Sequence, residues 1–270
     1  MREATKKPYL SPSQLDMLAK CGLQYEFRYI QGIKSPPGVA MVIGTATHRS
    51  IEKNLINKRD QKALLPVEAV TEIAAESLKN TWDGEGPVLS LEEKKAGEKK
   101  TKGDAVDMAV SLAKLHHKEL APKIEPIHLE REVYLELKGF PYDLKGYLDI
   151  QEPNRIRDTK TTSKSPSGDE AETSTQLKFY SLARHVIDGL PPAEVALDYL
   201  VKTAEPKAIT ITAQMDENDH KRLLRRVEIA SKVIKSGAFN PAPQDAWYCN
   251  ARWCGYHDRC PFGARQRVQG

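Results

Sequence analysis

The chain has no run of about 18 apolar residues, so no membrane span is expected. No apolar segment stands behind the charges of Met1, Arg2, Glu3, Lys6 and Lys7, so the start does not read as a signal peptide. Both absences predict a cytoplasmic protein without membrane contact. Cysteine is scarce, four in 270 residues, and in a reducing compartment such thiols read as free thiols or metal ligands rather than disulfides. There is no internal repeat and no G-x-x-x-x-G-K-[ST], which excludes an evident ATP motor. An excess of one charge is nearly lacking too. Forty-one Lys and Arg against 37 Asp and Glu leave +4, too little to establish nucleic-acid binding, though a local basic groove is permitted. What is present is ordinary for a globular chain, 40% hydrophobic and 29% charged, with length for one sizeable core or a core plus a module.

Hydrophobic spacing predicts the elements. Ser11, Pro12 and Gln14 form a capping pattern, and Leu15, Leu18 and Ala19 fall on one helical face. The aromatic run Tyr25, Phe27 and Tyr29 follows Cys21. A second helix opens near Gly44 and Thr45 and runs through His48, Ile51, Glu52 and Leu55. Residues 66–80 and 104–121 give two further amphipathic helices, and the charged stretch 91–100 between them reads as a solvated loop or exposed helix. The period then becomes two: Ile127, Leu129, Val133, Leu135 and Leu137 alternate with His128, Glu130, Glu132, Tyr134 and Glu136. A strand with Tyr147 and Asp149 on one side follows, then a third with Ile156, Asp158 and Lys160 on one face, which predicts a three-strand meander. A helix from about Glu172 to Asp188 ends at Gly189, Pro191 and Pro192. Two strands come next (Val195 to Val201, and Ile209 to Ile211), the first related to the meander by a parallel crossover. A long helix from about Asp216 to Ser236 precedes a Pro- and Cys-rich tail.

Asp158-Thr159-Lys160 on a strand puts a carboxylate and an ammonium on one face. Asp149, on the preceding strand, can lie beside them. Two carboxylates converging at a strand edge can hold a hard divalent cation, and the lysine can orient a water or neutralise a phosphate. His48 would add a nitrogen ligand, favouring Mn²⁺ somewhat. Each residue alone has a plainer reading: D-x-K as a surface charge pair, Glu130 and Glu132 as a solvated strand face, His48 as a core histidine.

Their order changes the weighing. Gly44 to Glu52 reads G-x-x-x-H-x-x-x-E; Gly146-Tyr147-Leu148-Asp149, Asp158-Thr159-Lys160 and Gln176-x-x-x-Tyr180 follow in turn. This resembles the RecB-like branch of the PD-(D/E)XK nucleases, with four motifs in register over most of the chain. The resemblance implies a restriction-endonuclease-like α/β fold, a mixed sheet flanked by helices, with a helical N-terminal part and a Cys-rich C-terminal metal module. It implies a single nuclease domain spanning residues 1–270. Within it, residues 1–125 would be helical and carry the first cysteine, residues 126–213 would form the core sheet, and residues 214–270 would hold the C-terminal helix and Cys cluster. The resemblance makes His48, Asp149, Asp158 and the Thr159 carbonyl ligands of Mg²⁺ or Mn²⁺, and Lys160 the catalytic lysine acting with Asp149 and Asp158. Gln176 and Tyr180 would contact the nucleic-acid backbone or buttress the site, and Glu52 would support His48 one helical turn away.

The cysteines sit only in terminal segments: Cys21, then Cys249, Cys254 and Cys260 as C-x4-C-x5-C. Three clustered thiolates and one distant one fit a four-coordinate site, a [4Fe–4S] cluster or zinc, and spacing does not separate them. One N-terminal Cys plus a C-terminal trio is similar to the iron–sulfur subset of RecB-like nucleases, which includes CRISPR-adaptation exonucleases, the AddB nuclease domain and phage RecB-like exonucleases. The first gap is usually C-x2-C in those relatives, so zinc stays open. Such a site would latch the two ends together. Tyr25, Tyr29, Trp247, Tyr248, Trp253 and Tyr256 read as packing around it, with stacking on unpaired bases as the alternative. The resemblance implies a Mg/Mn-dependent exonuclease acting on DNA ends or single-stranded DNA in recombination or repair, with a helicase or recombinase as partner. The competing reading is a non-catalytic DNA-binding or scaffold subunit.

Overall fold

The structure is a computed structural model and describes residues 7–84, 86–191 and 194–263. In chain order the elements are β1 (Tyr9–Leu10), α1 (Pro12–Lys20), α2 (Gly22–Tyr25) and a π-helical stretch (Glu26–Ile30); then α3 (Val39–Gln61), α4 (Val67–Gly84), α5 (Leu91–Ala96) and α6 (Glu98–Glu119). The strands β2 (His128–Leu135), β3 (Asp143–Gln151) and β4 (Arg155–Thr162) follow, then α7 (Glu170–Thr173), α8 (Thr175–Asp188), β5 (Glu194–Val201), β6 (Lys207–Gln214) and α9 (Glu217–Ser236). The fold is mixed α/β, with a mixed sheet and flanking helices.

The chain divides into two compact units. One comprises Met1–Ser35, Val133–Gly146 and Glu217–Gly270, the other Pro36–Glu132 and Tyr147–Asp216. In the second unit the strands run in the order β3, β4, β5, β6. The β3–β4 pair is antiparallel, with Ile150 opposite Arg157. The β4–β5 pair is parallel over eight positions, with Asp158 opposite Leu197 and Lys160 opposite Tyr199. The β5–β6 pair is antiparallel. The crossover expected between β4 and β5 is therefore present, and α8 packs on both strands. Strand β5 is buried almost throughout because helices and neighbouring strands cover it, whereas β6 alternates at the sheet's edge. The core joins α3, α4 and α6 through Val42, Leu55, Leu78, Trp82 and Leu112, with Ile150 and Leu200 from the sheet.

Several boundaries differ from the spacing. Helix α3 starts at Val39 after Gly38, five residues before Gly44, because Val39, Val42 and Ile43 extend its buried face. The stretch 91–100 takes the exposed-helix alternative: Ser90 and Glu93 form a complete capping box for α5, and α6 has begun by Glu98. The helix expected from Glu172 is two pieces, since the Ser174 side chain accepts from the Leu177 N–H and restarts the helix at Thr175. Gly189 ends α8 in the left-handed conformation at φ 65°, which glycine adopts without penalty. Pro192 lies outside the described residues, as do residues 1–6.

In the first unit, β1 pairs in parallel with the start of β3. Ser11 caps α1 as expected, accepting from the Gln14 N–H at 3.2 Å. Among the described residues no helix is long and apolar enough to cross a membrane.

Candidate functional site

Two elements of the second unit set the acidic site, α3 carrying His48 and β4 carrying Asp158 and Lys160. Gly44 eases their approach: a Cβ there would stand 3.2 Å from Thr161 Oγ1 on β4, a tight contact that the threonine side chain would have to yield to. The opposite face of β4 is pinned by Arg157, whose Nη1 donates to both Asp198 oxygens on β5 at 3.1 and 3.2 Å. That buried pair holds the strand in register while Asp158 and Lys160 face the other way.

Asp158 is fully buried. Lys160 Nζ stands 2.7 Å from its Oδ2, yet neither Asp158 oxygen has a properly directed hydrogen bond. Burial comes first and Asp149 second in raising the Asp158 carboxyl to about 8. Asp149 rises to about 6, chiefly by burial. Asp149 Oδ2 lies 3.7 Å from His48 Nδ1, and the Thr159 backbone is near enough to influence both. His48 is half-buried, and that burial lowers its pKa. His48, Asp149, Asp158, Thr159 and Lys160 are thus neighbours.

Gln176 and Tyr180 share a face of α8 one turn apart. Lys160 Nζ donates to Gln176 Oε1 at 2.7 Å, Gln176 Nε2 donates to the Tyr180 hydroxyl, and that hydroxyl donates to the Tyr147 carbonyl. Tyr180 is 1% exposed, so its hydroxyl serves this relay rather than an open surface. Glu52 is not seen supporting His48; its Oε2 accepts from Arg49 Nη1 at 2.6 Å instead, a partner three residues away on the same helix.

Glu130 is exposed on β2, in keeping with a solvated strand face. Its pKa is nonetheless raised, first by partial loss of surrounding water and then by the charges of Glu52 and Asp158. Its φ of 47° is rare for a non-glycine residue, and period-two reading gives no signal of it.

The four cysteines gather in the first unit. All are free thiols lining one cavity of about 490 Å³ with Gln24 and His257. Gln24 Nε2 donates to Cys254 Sγ at 3.2 Å. Burial, then Cys254, Cys21 and Cys260, raise the Cys249 thiol. Cys21 ends α1, its N–H bonded to the Met17 carbonyl. Gly22 beside it admits the Asn240 backbone, where a Cβ would clash at 2.7 Å. His257 is 6% exposed and neither ring nitrogen has a hydrogen-bond partner. Among the described residues, no three His, Cys, Asp or Glu side chains are drawn closely enough to hold a single metal ion, here or at the acidic site. The donor chemistry nevertheless fits in both places: a buried carboxylate with unsatisfied oxygens beside a second carboxylate suits a hard cation, and four thiols with an unpartnered imidazole around a cavity suit a softer centre.

No curated protein matches the chain. A crystal structure from Eubacterium rectale, named provisionally as an exonuclease, shares 14% identity over 97% of this chain and 89% of its own, with a TM-score of 0.54, a likeness of fold. The crystal structure of SSO0001 shares 14% identity over 92% of this chain and 96% of its own, at a TM-score of 0.36 too low to argue from. The family model of the PD-(D/E)XK nuclease superfamily matches residues 9–261, nearly the whole chain. The match spans the segments that carry the glycine-spaced histidine, the buried Asp158 and the lysine beside it, and the chain belongs to the PD-(D/E)XK nuclease superfamily.

Proposed function

We propose that the chain is a Mg²⁺- or Mn²⁺-dependent deoxyribonuclease that works from DNA ends or on single-stranded DNA. The observation that carries this reading is the fully buried Asp158, its oxygens unsatisfied, with Asp149 and Lys160 against it. A degenerate scaffold has no reason to bear the cost of burying that carboxylate. The exonuclease name of the Eubacterium rectale structure is in keeping with action from ends.

His48, Asp149, Asp158 and the Thr159 carbonyl would hold the cation, which when bound polarises a phosphoryl oxygen and makes a water more acidic. Lys160 is aimed by Gln176 and donates to the attacking water or to the phosphate oxygen on which charge develops. Tyr180 fixes the Gln176 amide so that its oxygen, not its nitrogen, meets the ammonium. The water oxygen bonds phosphorus and gives up a proton to solvent, the bond to the leaving sugar oxygen breaks, and that oxygen takes a proton from solvent.

In the first unit we assign Cys21, Cys249, Cys254 and Cys260 to a structural [4Fe–4S] cluster. A cubane holds one cysteine per iron and keeps the sulfurs farther apart than a single zinc does. The open cavity among them favours the bulkier group, and zinc is the second reading. DNA is the partner, and a helicase or recombinase on another chain would supply opened strands.

The test uses anaerobically purified protein with end-labelled single strands, linear duplex and closed circles, in Mg²⁺, Mn²⁺ or EDTA, beside Lys160→Ala. Metal-dependent loss of label, absent in the variant although it still binds DNA, is the expected result; sparing of circles identifies an exonuclease. Cleavage by Lys160→Ala in proportion to its DNA occupancy would remove the lysine from the chemistry.

A further inference from the structure

The six aromatics near the cysteines divide sharply. Tyr25 and Tyr256 are buried at 4% and 5% exposure, with Tyr25 stacked on Phe239 and Tyr256 on Phe27. These fill the packing role. Trp247 and Trp253 do not, being 68% and 57% exposed. Large apolar rings left in water together are uncommon and mark a surface that something covers.

The two indoles are held, not loose. Their centroids lie 5.6 Å apart with planes at 84°, an edge-to-face pair in which both rings stay largely exposed. Tyr248 meets Trp247 edge-on at 5.6 Å, and its hydroxyl donates to the Lys20 carbonyl at 3.1 Å. Asn250 ties the turn between them: its Nδ2 donates to the Trp247 carbonyl at 2.5 Å, and its Oδ1 accepts from the Arg252 N–H at 2.9 Å. The four residues between Cys249 and Cys254 thus form a hydrogen-bonded turn that presents Trp253. Cations lie over the rings, with Lys20 Nζ 4.3 Å from the Tyr248 centroid and 5.9 Å from that of Trp247, and Arg252 Cζ 5.3 Å from that of Trp253.

We propose that Trp247 and Trp253, with Lys20 and Arg252 beside them, form a docking surface for an unpaired nucleic-acid strand. This rests on the nuclease reading, since it supplies that enzyme's substrate with a second foothold in the first unit. Exposed indoles offer stacking faces to any base, and neighbouring cations meet the phosphates between them. A duplex keeps its base faces stacked internally and cannot use such rings. Asp245 and Asp258 lie in the same tail, so the surface is not a strongly basic groove. Stacking therefore carries the binding, and its dependence on salt is shallower than for a site built on many phosphate contacts.

The test measures binding of the full chain, in EDTA to prevent cleavage, to a labelled oligothymidylate and to a duplex of equal length. Wild type, Trp247→Ala, Trp253→Ala, Trp247→Phe and Trp253→Phe are compared after circular dichroism, melting and metal content show that each is folded. Each alanine variant is expected to lose roughly 5- to 100-fold in affinity for the single strand, with little change for the duplex, and each phenylalanine variant to recover most of the loss. Oligothymidylate should also quench the intrinsic fluorescence of wild type, and fail to do so in the double alanine variant, whose remaining Trp82 is buried. Unchanged single-strand affinity in folded alanine variants, or an equal loss for duplex, overturns the proposal and leaves the nuclease reading intact. Wild type that binds neither strand nor duplex overturns both.

Discussion

Asp158 is a carboxylate with no exposed surface, and its protonation ties the folded state to pH. An unfolded aspartate titrates at about 3.9, whereas the folded one is raised to about 8 by burial and by Asp149. Between those values the folded chain keeps a proton that the unfolded chain has released. Stability from this carboxyl is therefore full at low pH and falls as pH rises through the folded value. Asp158→Asn carries no such charge. In EDTA its melting temperature should match or modestly exceed that of wild type at pH 5 and exceed it clearly at pH 9, by an amount equivalent to roughly 1–3 kcal/mol. Saturating Mg²⁺ should narrow the gap, because only wild type gains a counter-ion there. Melts of the two proteins across that pH range decide it: parallel curves would mean that the carboxylate is solvated or already paired when charged.

At the scale of elements, β4 works as a two-faced strip whose catalytic face depends on its structural one. Arg157 is 5% exposed, Asp198 fully buried, and the latter also accepts from Thr210 Oγ1 on β6. Asp198→Ala takes away one of the two carboxylates that hold Arg157, leaving it to Glu152, and strips Thr210 Oγ1 of its acceptor. It should therefore destabilise the chain by about 1–3 kcal/mol, read as a lower urea midpoint, while the turnover of the folded fraction falls less. The motif spacing makes Asp158 and Lys160 legible, but not their anchor, because Asp198 reads as a lone acid within the apolar strand Val195–Val201. The same contrast holds along the site. His48, Asp149, Asp158, Lys160, Gln176 and Tyr180 can be placed together from the sequence because each lies at a regular position on a helix or strand. The positive φ at Glu130 has no periodic signal, and spacing alone does not choose a partner for Glu52, because Arg49 is equally well spaced on α3 and bonds it. Helix starts at Val39 and Thr175 are also hidden, the first set by tertiary burial and the second by a serine cap inside an otherwise helical pattern.

At the scale of the whole molecule, the first unit is assembled from segments far apart in sequence, and the proposed cysteine centre would bear on how they stay together. A cross-link between residue 21 and residues 249–260 closes a loop of more than two hundred residues, and the entropy it removes from the open chain grows only slowly with that length. The gain is thus of the size of an ordinary cross-link, about 3–5 kcal/mol by comparison with a long disulfide loop. It is added to direct contacts already present: Gly22 against Asn240, Tyr248 on the Lys20 carbonyl, and Tyr256 on the Ile33 carbonyl at 3.0 Å. Those contacts predict that losing the centre loosens the unit without erasing it. Cys254→Ser removes one thiol and the acceptor of the Gln24 bond. It should abolish the broad visible absorption and iron content of anaerobic wild type, lower the melting temperature, and raise protease sensitivity in the segments 1–35 and 217–270. The acidic site belongs to the other unit, so cleavage per folded molecule should fall less than the metal content does. Iron-free wild type containing one zinc per chain would replace the cluster by the smaller ion while keeping the latch. Wild type with neither metal, and a Cys254→Ser variant as stable as the parent, would reduce the four cysteines to ordinary packing.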